Sequence, residues 1–279
     1  MWKQVLKVFG AALATCMFGL SANAQTQVIY GAQGGGGAGP FNLAAINPAT
    51  GAFTIIGPIG FSVTGLAFHP TTGVLYGTTG GASPVSPNSL ITVNRTTGAG
   101  TLVGPIGAVC NAVADISFRA DGTLFGWCEG PDDLVRINIA TGAATVVADS
   151  TLNTSGSGLA FSSAGTLFYT GDGNVRTISP TTGLSTSSVP LSGILSGGNP
   201  NALAFNAAGT LFGSNGGTLY TINTTTGVAT VIGATLPAID AIVFAAGPSA
   251  APTLSEWSMI LLGLALAGTA MWTLSTRRA

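Results

Sequence analysis

Residues 202–234 hold the pattern that decides the fold: Ala202-Leu203-Ala204-Phe205, a short turn, Leu211-Phe212-Gly213, then a run ending at Ile222-Asn223-Thr224-Thr225-Thr226-Gly227, then Thr230-Val231-Ile232. Four short apolar runs, each closed by a turn, occupy this one stretch. The hexapeptide at its centre recurs as Ile46–Gly51, Val93–Gly98, Ile137–Gly142 and Ile178–Gly183, with 47, 44, 41 and 44 residues between successive glycines. A second signature interleaves with it: Leu66-Ala67-Phe68, Ile116-Ser117-Phe118, Leu159-Ala160-Phe161, Leu203-Ala204-Phe205 and Ile242-Val243-Phe244. After each of the first four come a turn and a third signature, Leu75-Tyr76-Gly77, Leu124-Phe125-Gly126, Leu167-Phe168-Tyr169 or Leu211-Phe212-Gly213.

Each unit therefore predicts four strands joined by tight Thr-Gly and Asp-Gly turns, whose glycines accept positive φ. Four antiparallel strands in a period of about 40–45 residues mark a propeller blade. The middle residue of the Leu-Ala-Phe signature is small in four of five copies, which suits close approach of a neighbouring blade. The chain starts on a second-strand signature, Val28-Ile29-Tyr30-Gly31, and its last repeat strand, Ala238–Ala245, is of the first-strand type. Pairing the two completes the first blade. The reading is an all-β, five-bladed β-propeller of four-stranded blades over residues 25–247; a right-handed β-solenoid is the alternative.

Charged residues make up 6% of the chain, against roughly 25% in ordinary domains. Between Gln25 and Ala251 there is no lysine, and four arginines face eight acids. This mildly acidic domain offers no basic patch to nucleic acid. Apolar residues make up 46% of the chain and arrive in regular runs, so low charge here signals a packed β domain rather than disorder.

The two ends read as addresses. Lys3 and Lys7 precede an apolar stretch, Val8–Leu20, and Ala22-Asn23-Ala24 fits a cleavage site, so residues 1–24 are expected to be a secretory signal peptide. After a linker, 248–251, comes Pro252-Thr253-Leu254-Ser255-Glu256-Trp257, then an apolar run, Ser258–Leu274, then Arg277-Arg278. The run is long enough for one transmembrane helix with little tilt. The two arginines form a basic stop that keeps the tail in the cytoplasm and the domain outside.

Pro252–Trp257, the helix and the basic tail together, 252–279, resemble the IPTL-CTERM sorting domain, a relative of the PEP-CTERM signal. Ala251 stands where the family has isoleucine and Ser258 where it has glycine. The resemblance implies a Gram-negative envelope, an exosortase-type sorting protease as partner, transient residence in the inner membrane, and delivery to the cell surface or beyond. A plain anchor that is never cut is the alternative.

Chemistry-bearing residues are few. The loops from second to third strand, and from fourth strand to the next blade, share one face and vary in length: Gly34–Gly39, Gly80–Asn88, Glu129–Asp133, Asp149–Gly156 and Pro190–Pro200. Glu129, Asp132, Asp133, Asp149 and Asp172 fall in variable-face loops of two neighbouring blades, and Asp115 opens an inner strand near the same face. Such oxygen-only groups are candidate Ca²⁺ ligands; the other reading is a set of solvated loop acids and no cofactor. Cys110 and Cys128 are placed at the same face and are expected to form a disulfide in an oxidising compartment. Closing that loop stabilises by roughly 3 kcal/mol in the chain-entropy model. His69, the only histidine, lies in a turn on the opposite face, away from any acid partner, so no Ser-His-Asp constellation is present. Gly34–Gly37 lacks the lysine and helix of a phosphate loop.

The expected function is therefore a non-catalytic, surface-sorted propeller that binds a glycan or protein through its variable loops. The alternatives are a Ca²⁺-dependent envelope enzyme of lactonase or lyase type, which rests on fold analogy alone, and a purely structural biofilm component.

Overall fold

The computed structural model describes residues 27–245 apart from 35–38, 40, 154–156 and 196–197. The expected signal peptide, linker, sorting motif, transmembrane helix and basic stop lie outside the described residues. Among those residues no helix is long and apolar enough to cross a membrane.

Twenty strands form five separate four-stranded antiparallel sheets. Blade 1 consists of β1 (Ile29–Gln33), β2 (Asn42–Ile46) and β3 (Phe53–Pro58), with β20 (Ile239–Phe244) inside β1. Blade 2 is β4 (Val63–Phe68), β5 (Leu75–Thr79), β6 (Ser89–Val93) and β7 (Gly100–Pro105); blade 3 is β8 (Ala112–Phe118), β9 (Leu124–Glu129), β10 (Asp133–Ile137) and β11 (Ala144–Ala148). Blade 4 is β12 (Gly158–Phe161), β13 (Leu167–Gly171), β14 (Asn174–Ile178) and β15 (Ser185–Pro190); blade 5 is β16 (Ala202–Phe205), β17 (Leu211–Asn215), β18 (Thr218–Ile222) and β19 (Ala229–Ala234). The inner strands β20, β4, β8, β12 and β16 touch in succession and close the ring. This is the five-bladed propeller that the repeat predicts, and the last strand fills the gap in the first blade: Ile29 pairs with Phe244, Tyr30 with Val243 and Gly31 with Ile242.

The hexapeptide works as an Asx turn. Asn94 Oδ1 accepts from the Thr96 and Thr97 amides at 2.9 and 3.1 Å, and the Gly98 amide donates to the Asn94 carbonyl at 2.7 Å. Asn223 repeats this, and Ser179 substitutes its hydroxyl. A side chain that bonds its own following backbone stabilises such a turn without a helix.

Each of the five hydrophobic clusters draws its residues from two neighbouring blades. The aromatic ring of each second strand meets the phenylalanine that ends the next inner strand: Tyr30 with Phe68, Tyr76 with Phe118, Phe125 with Phe161, Phe168 with Phe205 and Phe212 with Phe244, at centroid distances of 4.9–5.6 Å. The rings meet edge to face, the arrangement their quadrupoles favour, for about 0.5–1.5 kcal/mol per pair beyond burial.

The hexapeptide glycine meets a second demand. Gly98 has φ +83, and a Cβ there would lie 2.5 Å from the carbonyl oxygen of Gly57, on the outer strand of the preceding blade. Gly142 stands in the same relation to Gly104. By contrast Gly165, in the turn between β12 and β13, has φ +81 and open space around it. Gly165→Ala is expected to cost about 1 kcal/mol, the conformational penalty alone. Gly98→Ala adds a backbone clash and is expected to cost about 3 kcal/mol. Thermal melts of the two variants measure the difference; equal losses would remove the inter-blade role of Gly98.

Candidate functional site

Strand polarity sorts the loops. Each inner strand runs towards its phenylalanine and into a short turn, so those turns and the hexapeptides lie on one face, and the longer connections lie on the other. The structure brings Cys110 and Cys128 together at the loop face in a disulfide, with Cα atoms 5.3 Å apart. Nearby, Asn88 Nδ2 donates to the Cys110 carbonyl at 2.6 Å, tying the Gly80–Asn88 loop to the neighbouring blade.

The candidate acids do not converge on one point. Asp133 Oδ1 accepts from the Ser150 amide at 3.0 Å, and Asp149 Oδ1 from the Thr151 amide at 2.8 Å. Asp172 faces Arg176 at 3.6 Å. Asp132 is buried, in a left-handed conformation between β9 and β10, and its carbonyl accepts from the Ser150 hydroxyl. Three of these carboxylates thus serve local turns or an ion pair. Among the described residues no group of three or more His, Cys, Asp or Glu side chains is arranged to hold a metal ion.

Asp115 is placed differently. Counting three residues back from the inner-strand phenylalanines gives Gly65, Asp115, Gly158, Ala202 and Ala241. Four small residues leave room at this level, and one carboxylate fills it. Asp115 is fully buried. Its Oδ1 accepts from the Ile116 amide at 2.8 Å, while Oδ2 accepts from the Leu159 amide at 2.8 Å and the Leu203 amide at 3.2 Å. One side chain therefore satisfies backbone donors on the inner strands of blades 3, 4 and 5. Burial raises its pKa well above the usual carboxylate range, against the lowering effect of the three amides. Ser117 adds a parallel tie, its Oγ accepting from the Phe161 amide at 2.9 Å, and Thr64 Oγ1 donates to the Val113 carbonyl at 2.6 Å.

Asp240 is the residue that sequence reading passed over. It lies four residues before its phenylalanine, in the row occupied elsewhere by Thr64, Ala114, Ser157 and Asn201. Three polar residues in four repeats at that offset were the available signal. Asn201 Nδ2 donates to Asp240 Oδ1, linking blades 5 and 1. Burial, and then the Glu129 charge, push the Asp240 carboxyl up to about 7. Glu129 is itself raised by burial and by Asp132. On the loop side, Glu129 and Asp240 are thus both held above the usual carboxylate range by burial and a neighbouring acid.

His69 lies on the turn face, where its Nδ1 accepts from the Thr71 and Thr72 amides at 3.2 Å and its ring packs on Phe118 at 5.0 Å. Its role is that of the asparagine in the other turns.

With this geometry in hand, comparison with known proteins adds one motif and one fold. Residues 250–279 match the IPTL-CTERM motif. The chain joins that sorting motif to a five-bladed β-propeller, a combination that fits an exported, surface-directed protein. No curated protein sequence matches the chain. Among solved structures, a chain in a nidogen/laminin complex aligns over 79% of this chain and 98% of its own length, with a TM-score of 0.51 and 17% identity. A protein of unknown function from Bacteroides thetaiotaomicron aligns over 75% of this chain and 58% of its own, with a TM-score of 0.50 and 14% identity. At these identities the likeness is one of fold.

Two outcomes are expected of the buried acids. Asp115→Ala leaves backbone donors of three strands without their acceptor and should cost about 3 kcal/mol or more, read by chemical denaturation at neutral pH. Asp240 has a folded pKa near 7 against an ordinary 3.8, so the folded state holds more protons than the unfolded one between those values. Stability should fall as pH rises through that window and level off above it. Asp240→Asn keeps an acceptor for Asn201 and removes the titration. It should flatten the decline and gain on the order of 2 kcal/mol at pH 8. An unchanged pH profile in that variant would show that Asp240 does not carry the effect.

Proposed function

We propose that the chain is an exported, non-catalytic propeller that binds a glycan or protein ligand through its loop face at the cell surface. In this reading residues 1–24 are removed on export, Ser258–Leu274 holds the precursor in the inner membrane, and an exosortase-type protease processes the tail. The match of residues 250–279 to the IPTL-CTERM motif carries the reading. Support comes from the use of Asp115, whose carboxylate is spent on backbone amides rather than turned towards a substrate. Further support comes from Val85, Val109 and Leu195, exposed apolar side chains on the loop face at 47%, 39% and 74%. Apolar groups beside acids give such a face both contact area and orientation for a ligand.

Glu256→Ala and Pro252→Ala in the full-length precursor test the sorting step. Neither residue anchors the chain, so both variants should accumulate in the membrane fraction at precursor mass while the wild type reaches the surface. Surface delivery of both at wild-type levels would leave a plain anchor in place of a processing signal.

A further inference from the structure

The position of the chain ends in the ring limits how an anchored propeller can sit on a bilayer. β20 ends at Phe244 on the turn face, beside the mouth of the central channel, and the Ala245 amide bonds to the Val28 carbonyl at 2.9 Å. Both ends of the described domain therefore leave from the middle of one face. Only twelve residues, 246–257, separate Ala245 from the apolar run. Any chain of twelve residues reaches at most about 40 Å, and a random coil of that length averages about 20 Å end to end. To place the loop face on the membrane, this segment would have to run out across a blade, about 15 Å for four strands, and then along at least one strand length, about 20 Å, before any allowance for loops. That path uses nearly the whole taut length. With the turn face down, far less than that reach is needed.

Charge runs the same way. Arg95 and Arg119 lie in turns of the turn face, and Arg136 near the turn end of β10 shares the Phe125 ring with Arg119, at 5.5 and 5.4 Å. Asp121 is the one acid beside them, and Arg119 binds it at 2.5 Å, holding its carboxyl well below the usual range. Asp133, Asp149 and Asp172 lie towards the loop face, where Arg176 faces Asp172. An anionic lipid surface attracts the first face and repels the second.

We propose that the anchored protein stands on the membrane on its turn face, over the lipid headgroups, with the acidic loop face directed away from the bilayer. The proposal rests on the anchoring reading above. It places the ligand-binding loops where a partner outside the membrane can reach them before any processing occurs.

The test uses the full-length mature chain in vesicles of phosphatidylethanolamine and phosphatidylglycerol carrying a headgroup-linked acceptor dye. Donor dyes are attached in turn to Ser163→Cys and Ala207→Cys, exposed on the turn face, and to Val85→Cys and Leu195→Cys, exposed on the loop face. Labelling without reductant spares the Cys110–Cys128 disulfide. Energy transfer from both turn-face sites should exceed that from both loop-face sites by about twofold or more. Equal or inverted transfer, in protein that floats with the vesicles, overturns the orientation alone. A chain that remains in the aqueous fraction overturns the anchoring reading, and the orientation with it.

Discussion

Every blade of this ring is held by an aromatic contact with its neighbour. A sheet of four short strands cannot bury both faces by itself, and the Tyr or Phe of each second strand completes its burial only against the next inner-strand phenylalanine. The contact from blade 5 to blade 1, Phe212 on Phe244, exists only because β20 has joined β1. Closure is thus a condition for the packing of all five blades. The Thr-Gly turns obey the same constraint from the rim, where the outer strand of one blade passes too close to the turn of the next for any Cβ at Gly98 or Gly142.

The sequence was most readable where a requirement repeats. Five copies of the hexapeptide set the blade count, and the mismatch between the first and last signatures predicted the pairing of β20 with β1. The placement of Cys110 and Cys128 at one face followed from strand polarity alone. Features that occur once were harder. Asp115 read as a candidate ligand because an acid near a loop face is compatible with metal chemistry. Its partners, the Leu159 and Leu203 amides, are 44 and 88 residues away, and only the closed ring brings them to it. Asp240 escaped because its significance lies in a row of side chains across five blades, not in its neighbours along the chain. The glycine of the hexapeptide was legible as a turn former, but its contact with a neighbouring carbonyl is a property of packing and leaves no mark on a single repeat.

The distribution of polar chemistry is consistent with a division of labour between the two faces. The turn face repeats an Asx-type turn at Asn47, Asn94, Asn138 and Asn223, and its single histidine bonds its following amides in the same way. The loop face varies in length and composition from blade to blade and gathers acids, exposed apolar side chains and the disulfide. Uniformity on one face and variation on the other are what a scaffold with a recognition surface requires.

The closure strand also defines a mechanical path. A pull on the chain beyond Ala245 enters the ring through Phe244 and loads β20 along its own axis. Its hydrogen bonds to β1, from Ile29 opposite Phe244 to Gln33 opposite Ile239, then bear the load together in shear instead of opening one at a time. The Val28 carbonyl grips the Ala245 amide at the point where the force arrives. A ring closed in this way resists extraction of its last strand when tension reaches it from beyond Ala245.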